Sequence, residues 1–94
     1  MRGEPFCIGE IKMDLKDTVT LMESSDYQER YKAEYYQLKV RVEKLAAMLE
    51  KYATGTLDFK PSRSYDLLFE QLVYMRGYMR ILKERAMIDG VALY

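Results

Sequence analysis

Tyrosine and basic side chains are interleaved in two stretches of the sequence. Tyr27, Tyr31 and Tyr35 recur every four residues, and the basic residues around them are Arg30, Lys32, Lys39, Arg41 and Lys44. Further along, Tyr74 and Tyr78 are interleaved with Arg76, Arg80, Lys83 and Arg85. A tyrosine ring stacks on a nucleobase, and Arg and Lys bind phosphate, Arg bidentately. Both stretches therefore contain the side chains needed to bind a small anionic nucleotide.

The residue types that most enzymes require are absent or isolated. The sequence has no histidine, which excludes Cys–His dyads, Ser–His–Asp triads and histidine metal ligands. Acidic residues on either side of Cys7 disfavour its thiolate, the carboxylates lack metal-ligand spacing, and the isolated glycines form no phosphate loop. We expect no catalytic residue, no metal site and no cofactor, and keep hydrolysis by the scattered carboxylates as a third hypothesis.

Length and charge narrow the classes of partner. The chain has 94 residues, and its 15 basic and 15 acidic side chains give a net charge of zero. This balance argues against a polyanion binder, so we expect no DNA or RNA partner. No run of 18 apolar residues is present, which argues against a membrane span, and a single cysteine fits a reducing cytoplasm.

A long amphipathic helix must position the first tyrosine stretch. Ser25 and Asp26 have capping-box spacing to the residues that follow, and Gly55 suits a left-handed C-terminal cap. Between them an apolar seam has alternating spacings of four and three residues. Its members are Tyr31, Tyr35, Leu38, Val42, Leu45, Leu49 and Tyr52. The pattern predicts a helix over residues 26–53, with Tyr31 and Tyr35 in the core and Tyr27 and Tyr36 off the seam.

A second long helix must position the other stretch. Residues 54–63 form a loop that contains Pro61, after which Ser62 or Ser64 caps the helix and Gly90 ends it. Its seam repeats the same alternation, with Leu68, Leu72, Met75, Met79, Leu82 and Ala86. Two helices of matched length predict an antiparallel hairpin.

The second helix carries a second apolar stripe, Leu67, Tyr74, Ile81 and Ile88, which a lone hairpin leaves uncovered. An exposed patch of that size is typical of an assembly interface, and Gly77 in mid-helix indicates a close helix–helix approach. We therefore predict an all-α fold. Two long helices plus a short N-terminal helix form an antiparallel hairpin that assembles into a homo-oligomeric bundle with C2 pairing at its base.

The N-terminal part is less regular. Residues 1–25 are expected to form an arm with a short helix, and residues 26–94 the hairpin domain. Within the arm, residues 1–13 are predicted to be loose or strand-like. Residues 15–22 are predicted to be helical, with one apolar side made of Leu15, Val19 and Met22.

Each long helix contains a set of residues whose types and spacing match those of a known protein family. The first set is Tyr27-Gln28-Glu29-Arg30, Glu34, Leu38, Arg41, Lys44-Leu45 and Met48-Leu49. The second is Leu67-Leu68, Glu70-Gln71, Met75, Tyr78, Leu82, Glu84-Arg85 and Ile88. The two sets resemble the crAss-phage-related family of small helical phage proteins. The second is also similar to the anti-CBASS cyclic-nucleotide sponges, whose second helix has a comparable Leu-Leu-x-x-Gln, Met, Tyr, Leu and Arg pattern.

The resemblance implies an anti-defence protein in the cytoplasm of an infected bacterial host. Such sponges bind a cyclic oligonucleotide or cyclic ADP-ribose signal without cleaving it, in pockets between the protomers of a homo-oligomer, commonly a hexamer, built here from dimers. The matching ligand-binding positions are Tyr27 and Arg41, with Lys44 one turn further on. Weaker candidates for a second pocket are Arg30, Gln71, Tyr78 and Arg85.

A non-catalytic interaction protein is the alternative. In that hypothesis the stripe of Leu67, Tyr74, Ile81 and Ile88 docks the helical oligomer on a host or phage protein. The two hypotheses differ in one observable, since only the sponge is stabilised by a nucleotide.

Overall fold

The computed structural model describes residues 14–93, and the predicted loose arm over residues 1–13 lies outside them. The described chain is helical. A 3₁₀ turn, Leu15–Thr18, leads into α1, Val19–Met22, and two long helices follow, α2, Tyr27–Thr54, and α3, Tyr65–Asp89. The described helices include none that is both long and apolar enough to cross a bilayer. The predicted fold class, with two long helices and a short N-terminal one, is confirmed for the single chain.

Side-chain and glycine caps set the ends of the two long helices. The Asp26 carboxylate accepts a hydrogen bond from the Gln28 amide at 2.9 Å, and the Ser64 hydroxyl accepts one from the Leu67 amide at 3.2 Å. Each C-terminus ends at a glycine in the left-handed region, with φ of 75° at Gly55 and 72° at Gly90. Glycine adopts this conformation without steric cost, which explains why both helices stop where the sequence predicts.

The long helices pack antiparallel along the predicted seam. Near the start of α2, the Tyr31 hydroxyl donates to the Leu82 carbonyl oxygen of α3 at 2.5 Å. At the other end, the ring centroids of Tyr52 and Tyr65 are 5.4 Å apart. The buried core contains Val91, just after α3, and nine seam residues: Tyr31, Tyr35, Leu38, Val42, Leu49, Leu68, Leu72, Leu82 and Ala86. Nine of the thirteen predicted seam residues are therefore confirmed as buried core, and the other four, Leu45, Tyr52, Met75 and Met79, are partly buried.

The N-terminal helical segment packs against α2 through Thr18 and Met22, both of which contact Gln37. Thr18 is fully buried, whereas Val19 and Met22 are each 47% exposed in the described chain. The Thr18 hydroxyl accepts a hydrogen bond from the Gln37 side-chain amide at 2.9 Å. Two neighbours of Gln37 on the same face of α2 are also buried: Ala33, one turn before it, and Val40, one turn after it. The predicted helical segment over residues 15–22 is confirmed as the 3₁₀ turn followed by α1, and the contact between Thr18 and Gln37 joins it to α2.

Gly77 does not mark a close approach within the described chain. A Cβ atom placed on it would meet no other side chain or element within 4 Å. Gly77 lies two residues from both Met75 and Met79 of the seam, about 200° around the helix, so it faces away from α2. The prediction of a close approach at this glycine was wrong for the single chain.

Candidate functional site

Side chains from both long helices meet along one side of the hairpin, here called the tyrosine edge (Tyr27, Tyr31, Glu34, Tyr78 and Arg85). The rings of Tyr27 and Tyr31 are in edge contact, with centroids 6.1 Å apart. The Arg85 guanidinium carbon lies 5.2 Å from the centroid of the Tyr31 ring. Next along the edge, the Tyr78 hydroxyl donates to the Glu34 carboxylate. The structure therefore brings three predicted site residues, Tyr27, Tyr78 and Arg85, to the same side.

Helical spacing explains why these side chains meet. Tyr27, Tyr31 and Glu34 follow one another by four and three residues, so they share a face of α2. Tyr78 and Arg85 are seven residues apart and share a face of α3. Antiparallel packing reverses the order, which places Arg85 beside the start of α2 and Tyr78 one to two turns further along.

The tyrosines of this region divide into buried and accessible ones. Tyr31 and Tyr35 are each 3% exposed, as predicted for core residues, and Tyr36 is partly buried with its ring 5.5 Å from that of Tyr35. Tyr27, by contrast, is 50% exposed, and Tyr78 is also exposed. Tyr27 and Tyr78 are therefore the edge tyrosines that a ligand can reach.

Burial controls the ionisation of the two core tyrosines. It raises the pKa of Tyr31 above 10.0, against the opposing influence of the nearby Arg85 cation. It also raises the pKa of Tyr35 above 10.0, with Lys39 opposing the shift and Glu43 adding to it. Both phenols are therefore neutral at physiological pH, and Tyr31 acts as a hydrogen-bond donor to the backbone of α3.

A groove continues the tyrosine edge toward the start of α3. It has a volume of about 650 Å³ and contains two predicted site residues, Gln71 and Tyr78. The other residues that line it are Arg63, Leu67, Leu68, Glu70, Tyr74 and Met75. The Gln71 side-chain amide lies 3.8 Å from the Met75 sulfur. The lining has one cation, Arg63, and one carboxylate, Glu70, so the groove is mainly an apolar surface with a few polar groups, as small-molecule sites are.

Sequence reasoning missed Arg63 and Glu34 as members of the site. Arg63 lies in the loop, where no periodicity predicts which side chains face a helix. Glu34 does occupy the helical position one turn after Arg30 and Tyr31, but only the rotation of α3 against α2 brings Tyr78 to it. The sequence does hold one signal for Glu34: it follows Tyr31 by three residues and Tyr27 by seven, so it lies on the same helix face as both.

The other predicted site residues lie apart from this cluster. The Arg30 guanidinium donates to the Ser24 carbonyl oxygen at 2.9 Å, so it stabilises the turn before α2. Arg41 and Lys44 are exposed further along α2. Tyr27 and Arg41 are 14 residues apart on one continuous helix, which separates them by about 21 Å along its axis. A small nucleotide cannot contact both within one chain.

The second apolar stripe has no covering within the described chain. Leu67, Tyr74, Ile81 and Ile88 are all exposed, although they have the same seven-residue repeat as a buried seam. Exposed apolar stripes of this kind are typical of interaction surfaces. The single chain shows the stripe as predicted, and the expected homo-oligomer stays a prediction.

Comparison with known proteins assigns the hairpin to a family. No match was found among curated proteins, and none among solved structures. The profile of the Sequestin family, in contrast, matches residues 25–88, from the residue before the Asp26 cap to the last turn of α3. The name of this family is consistent with a sequestering role, while the crAss-phage relationship stays a prediction. Since the match covers most of the chain and both long helices, the protein belongs to the Sequestin family.

Proposed function

We propose that this protein sequesters a small nucleotide signal, of the cyclic oligonucleotide or cyclic ADP-ribose type, and releases it chemically intact. The observation that carries the proposal is the Tyr31 ring, which contacts both the exposed Tyr27 ring and the Arg85 guanidinium. The family name supports the sequestering part. The absence of histidine from the sequence supports binding without cleavage, because the usual near-neutral proton shuttle is missing.

The chemistry of the tyrosine edge suits such a ligand. A base stacked on Tyr27 gains about 1–3 kcal/mol, judged from alanine substitutions at base-stacking aromatics. Arg85 lies over the Tyr31 ring, so part of its conformational freedom is already lost before a ligand binds. A phosphate placed beside Arg85 can then accept hydrogen bonds from the planar guanidinium. Base stacking and phosphate contact together provide affinity without a reaction.

A pocket formed between copies of the chain brings Arg41 and Lys44 into the same site. Within one chain Arg41 is about 21 Å from Tyr27 along α2. In an isologous pair, Tyr27 of one copy meets Arg41 of the other, and the reverse contact forms a second, equivalent pocket. The exposed stripe of Leu67, Tyr74, Ile81 and Ile88 supplies apolar surface for further contacts. We propose a hexamer built from such dimers.

A sponge of this kind acts as an anti-defence protein. Bacterial immune effectors that respond to cyclic nucleotides stay inactive while the signal is bound elsewhere. We propose that the protein works in this way for a phage in the cytoplasm of an infected host. The role needs tight binding and sufficient copies, and no turnover.

Thermal stability in the presence of candidate signals tests the proposal. We expect a cyclic di- or trinucleotide or a cyclic ADP-ribose isomer to raise the melting temperature, in proportion to RT ln(1 + [L]/Kd). The Tyr27→Ala and Arg41→Glu variants should each lose this stabilisation while keeping their helicity and oligomer mass. Lys51→Glu is the matched control for Arg41→Glu, because Lys51 is also exposed on α2 but lies in its last turn.

Recovery of the ligand separates sequestration from hydrolysis. After denaturation of the loaded protein, mass spectrometry should return a ligand of unchanged mass. A ligand of altered mass contradicts the non-enzymatic proposal. Retention of binding in both the Tyr27→Ala and Arg41→Glu variants contradicts the proposed pocket.

The exposed stripe on α3 supports a second candidate function, docking on another protein. In that case no nucleotide changes the melting temperature. Tyr74→Glu or Ile81→Glu then abolishes capture of the partner, while Tyr27→Ala has no effect. These substitutions lie on exposed side chains, so loss of capture without loss of helicity identifies the surface.

A further inference from the structure

The opposite side of the hairpin carries a second groove between α2 and α3, here called the basic groove. It has a volume of about 470 Å³. Arg76 and Arg80 each lie two residues from Tyr78, about 200° around α3, so they point away from the tyrosine edge. The residues that line the groove are Tyr35, Lys39, Val42, Glu43, Arg76, Met79, Arg80 and Lys83. None of them belongs to the tyrosine edge.

The charge of the basic groove differs from that of the chain as a whole. Its lining contains Lys39, Arg76, Arg80 and Lys83 against the single carboxylate of Glu43, whereas the full chain has no net charge. Arg80 also forms an ion pair with Glu84, one turn along α3, and both side chains are well exposed. Exposed pairs of this kind are weak, so Arg80 can exchange this partner for a more highly charged one. The groove therefore attracts anions.

Neighbouring cations on α3 repel one another, and the Arg80–Glu84 pair offsets only part of this repulsion. Arg76, Arg80 and Lys83 follow one another by four and three residues, which places like charges side by side on one face. Like charges at this spacing destabilise a helix. A bound polyanion converts the repulsion into attraction, and the three cations extend over about 10 Å of the helix axis.

The floor of the groove defines which part of a ligand is recognised. Its members Tyr35, Val42 and Met79 are buried or partly buried, and Tyr35, its aromatic member, is 3% exposed. With no accessible ring face there, a nucleobase gains no stacking. Arg76 and Arg80 provide planar forks that suit phosphate oxygens. A volume within the range of small-molecule sites favours a small ligand over a polymer.

From this geometry we propose that the basic groove is a second binding site, which holds adjacent phosphates of a small molecule through Arg76, Arg80 and Lys83. The site is complete within one chain and recognises phosphate without reading a base. It extends beyond the proposed function because it needs neither Tyr27 nor assembly.

Titration with inorganic pyrophosphate and tripolyphosphate tests this proposal. At constant ionic strength, both should raise the melting temperature and shift their own ³¹P resonances on binding, tripolyphosphate more strongly. The Arg76→Glu/Lys83→Glu double variant should weaken binding at least tenfold, and Arg76→Gln/Lys83→Gln should weaken it by a smaller factor. The matched control is Lys51→Glu/Lys60→Glu, which changes the net charge equally at exposed positions outside the groove and should bind like the parent protein.

Several results would overturn the proposal. The first is that neither pyrophosphate nor tripolyphosphate binds. The second is that the groove variant and the control variant weaken tripolyphosphate binding equally, which indicates general charge attraction. Preferential binding of a single-stranded oligonucleotide over tripolyphosphate would indicate a polymer site instead. The Tyr27→Ala variant separates the two sites. If this variant still binds tripolyphosphate, the basic groove is supported, even when no cyclic nucleotide binds. If it no longer binds tripolyphosphate, the proposed site in the basic groove is overturned.

Discussion

The two apolar stripes of α3 have the same spacing and different environments. Leu68, Leu72, Leu82 and Ala86 are buried against α2, whereas Leu67, Tyr74, Ile81 and Ile88 are exposed about a third of a turn away. Periodicity alone does not indicate which of the two stripes is buried. The difference is that α2 supplies a matching seam for only one of them. An apolar repeat therefore identifies a surface that needs a partner, and the partner can be another copy or another protein.

Truncation of a side chain in the buried stripe of α3 is expected to have the largest effect on stability. Leu82 is fully buried, so Leu82→Ala should lower the free energy of unfolding by about 2–5 kcal/mol through lost contacts and a cavity. Ile81→Ala, next to it but exposed, is the matched control and should change the folding of the single chain by about 0.5 kcal/mol or less. Urea unfolding of both variants at low protein concentration measures the difference. Equal losses would contradict the assignment of the two stripes.

Removal of one hydroxyl from the seam should have a smaller effect. Tyr31→Phe deletes the hydrogen bond to the Leu82 carbonyl oxygen and should cost about 0.5–1.5 kcal/mol. Tyr27→Phe removes a hydroxyl from an exposed ring on the same helix face and should leave the unfolding free energy unchanged. The same urea titration compares them. A cost at Tyr27 equal to that at Tyr31 would show that the two rings are not distinguished by burial.

The buried tyrosines also predict a dependence of stability on alkaline pH. Because burial raises the pKa of Tyr31 and Tyr35 above 10.0, the unfolded chain loses these protons before the folded one. Their contribution to stability is complete below pH 10 and is lost as the pH rises through the folded-state values. The melting temperature should therefore fall above pH 10, and the fall should be smaller in the Tyr31→Phe/Tyr35→Phe variant. An identical fall in parent and variant would contradict these pKa directions.

Gly77 lies on the exposed stripe of α3, three residues after Tyr74 and four before Ile81, so a substitution there tests the environment of that stripe. In the single chain its Cβ position is open, so Gly77→Ala should raise the unfolding free energy by about 1 kcal/mol or less through helix propensity. If copies approach closely at this position, the same methyl group weakens assembly. Unfolding at low concentration and native mass spectrometry at high concentration measure the two effects separately. A destabilised single chain would contradict the open environment of Gly77.

The sequence predicts the hairpin well because local rules determine most of it. Alternating spacings of three and four identify the seam, and the ends follow from Asp26, Gly55, Ser64 and Gly90, each of which acts within a few residues. These features require no knowledge of the rest of the molecule. Helix limits and core residues are therefore predictable here.

Contacts between off-seam side chains are less predictable. Tyr78 meets Glu34 across 44 positions, and Thr18 meets Gln37, because of how the helices are rotated against each other. That rotation depends on the packing of the whole core. The same reason explains why the basic groove is recognised only in the structure, although its cations are interleaved with tyrosines in the sequence.

The most direct test of the proposed shared pocket is complementation between two inactive variants. Tyr27→Ala and Arg41→Glu should each fail to bind the cyclic nucleotide that stabilises the parent protein. If the pocket combines Tyr27 of one copy with Arg41 of another, mixed dimers contain one intact pocket. Random mixing of equal amounts should then restore binding to about a quarter of the parent capacity. Calorimetry on the unfolded and refolded mixture measures this capacity, and a mixture that binds no more ligand than the separate variants would contradict a pocket shared between copies.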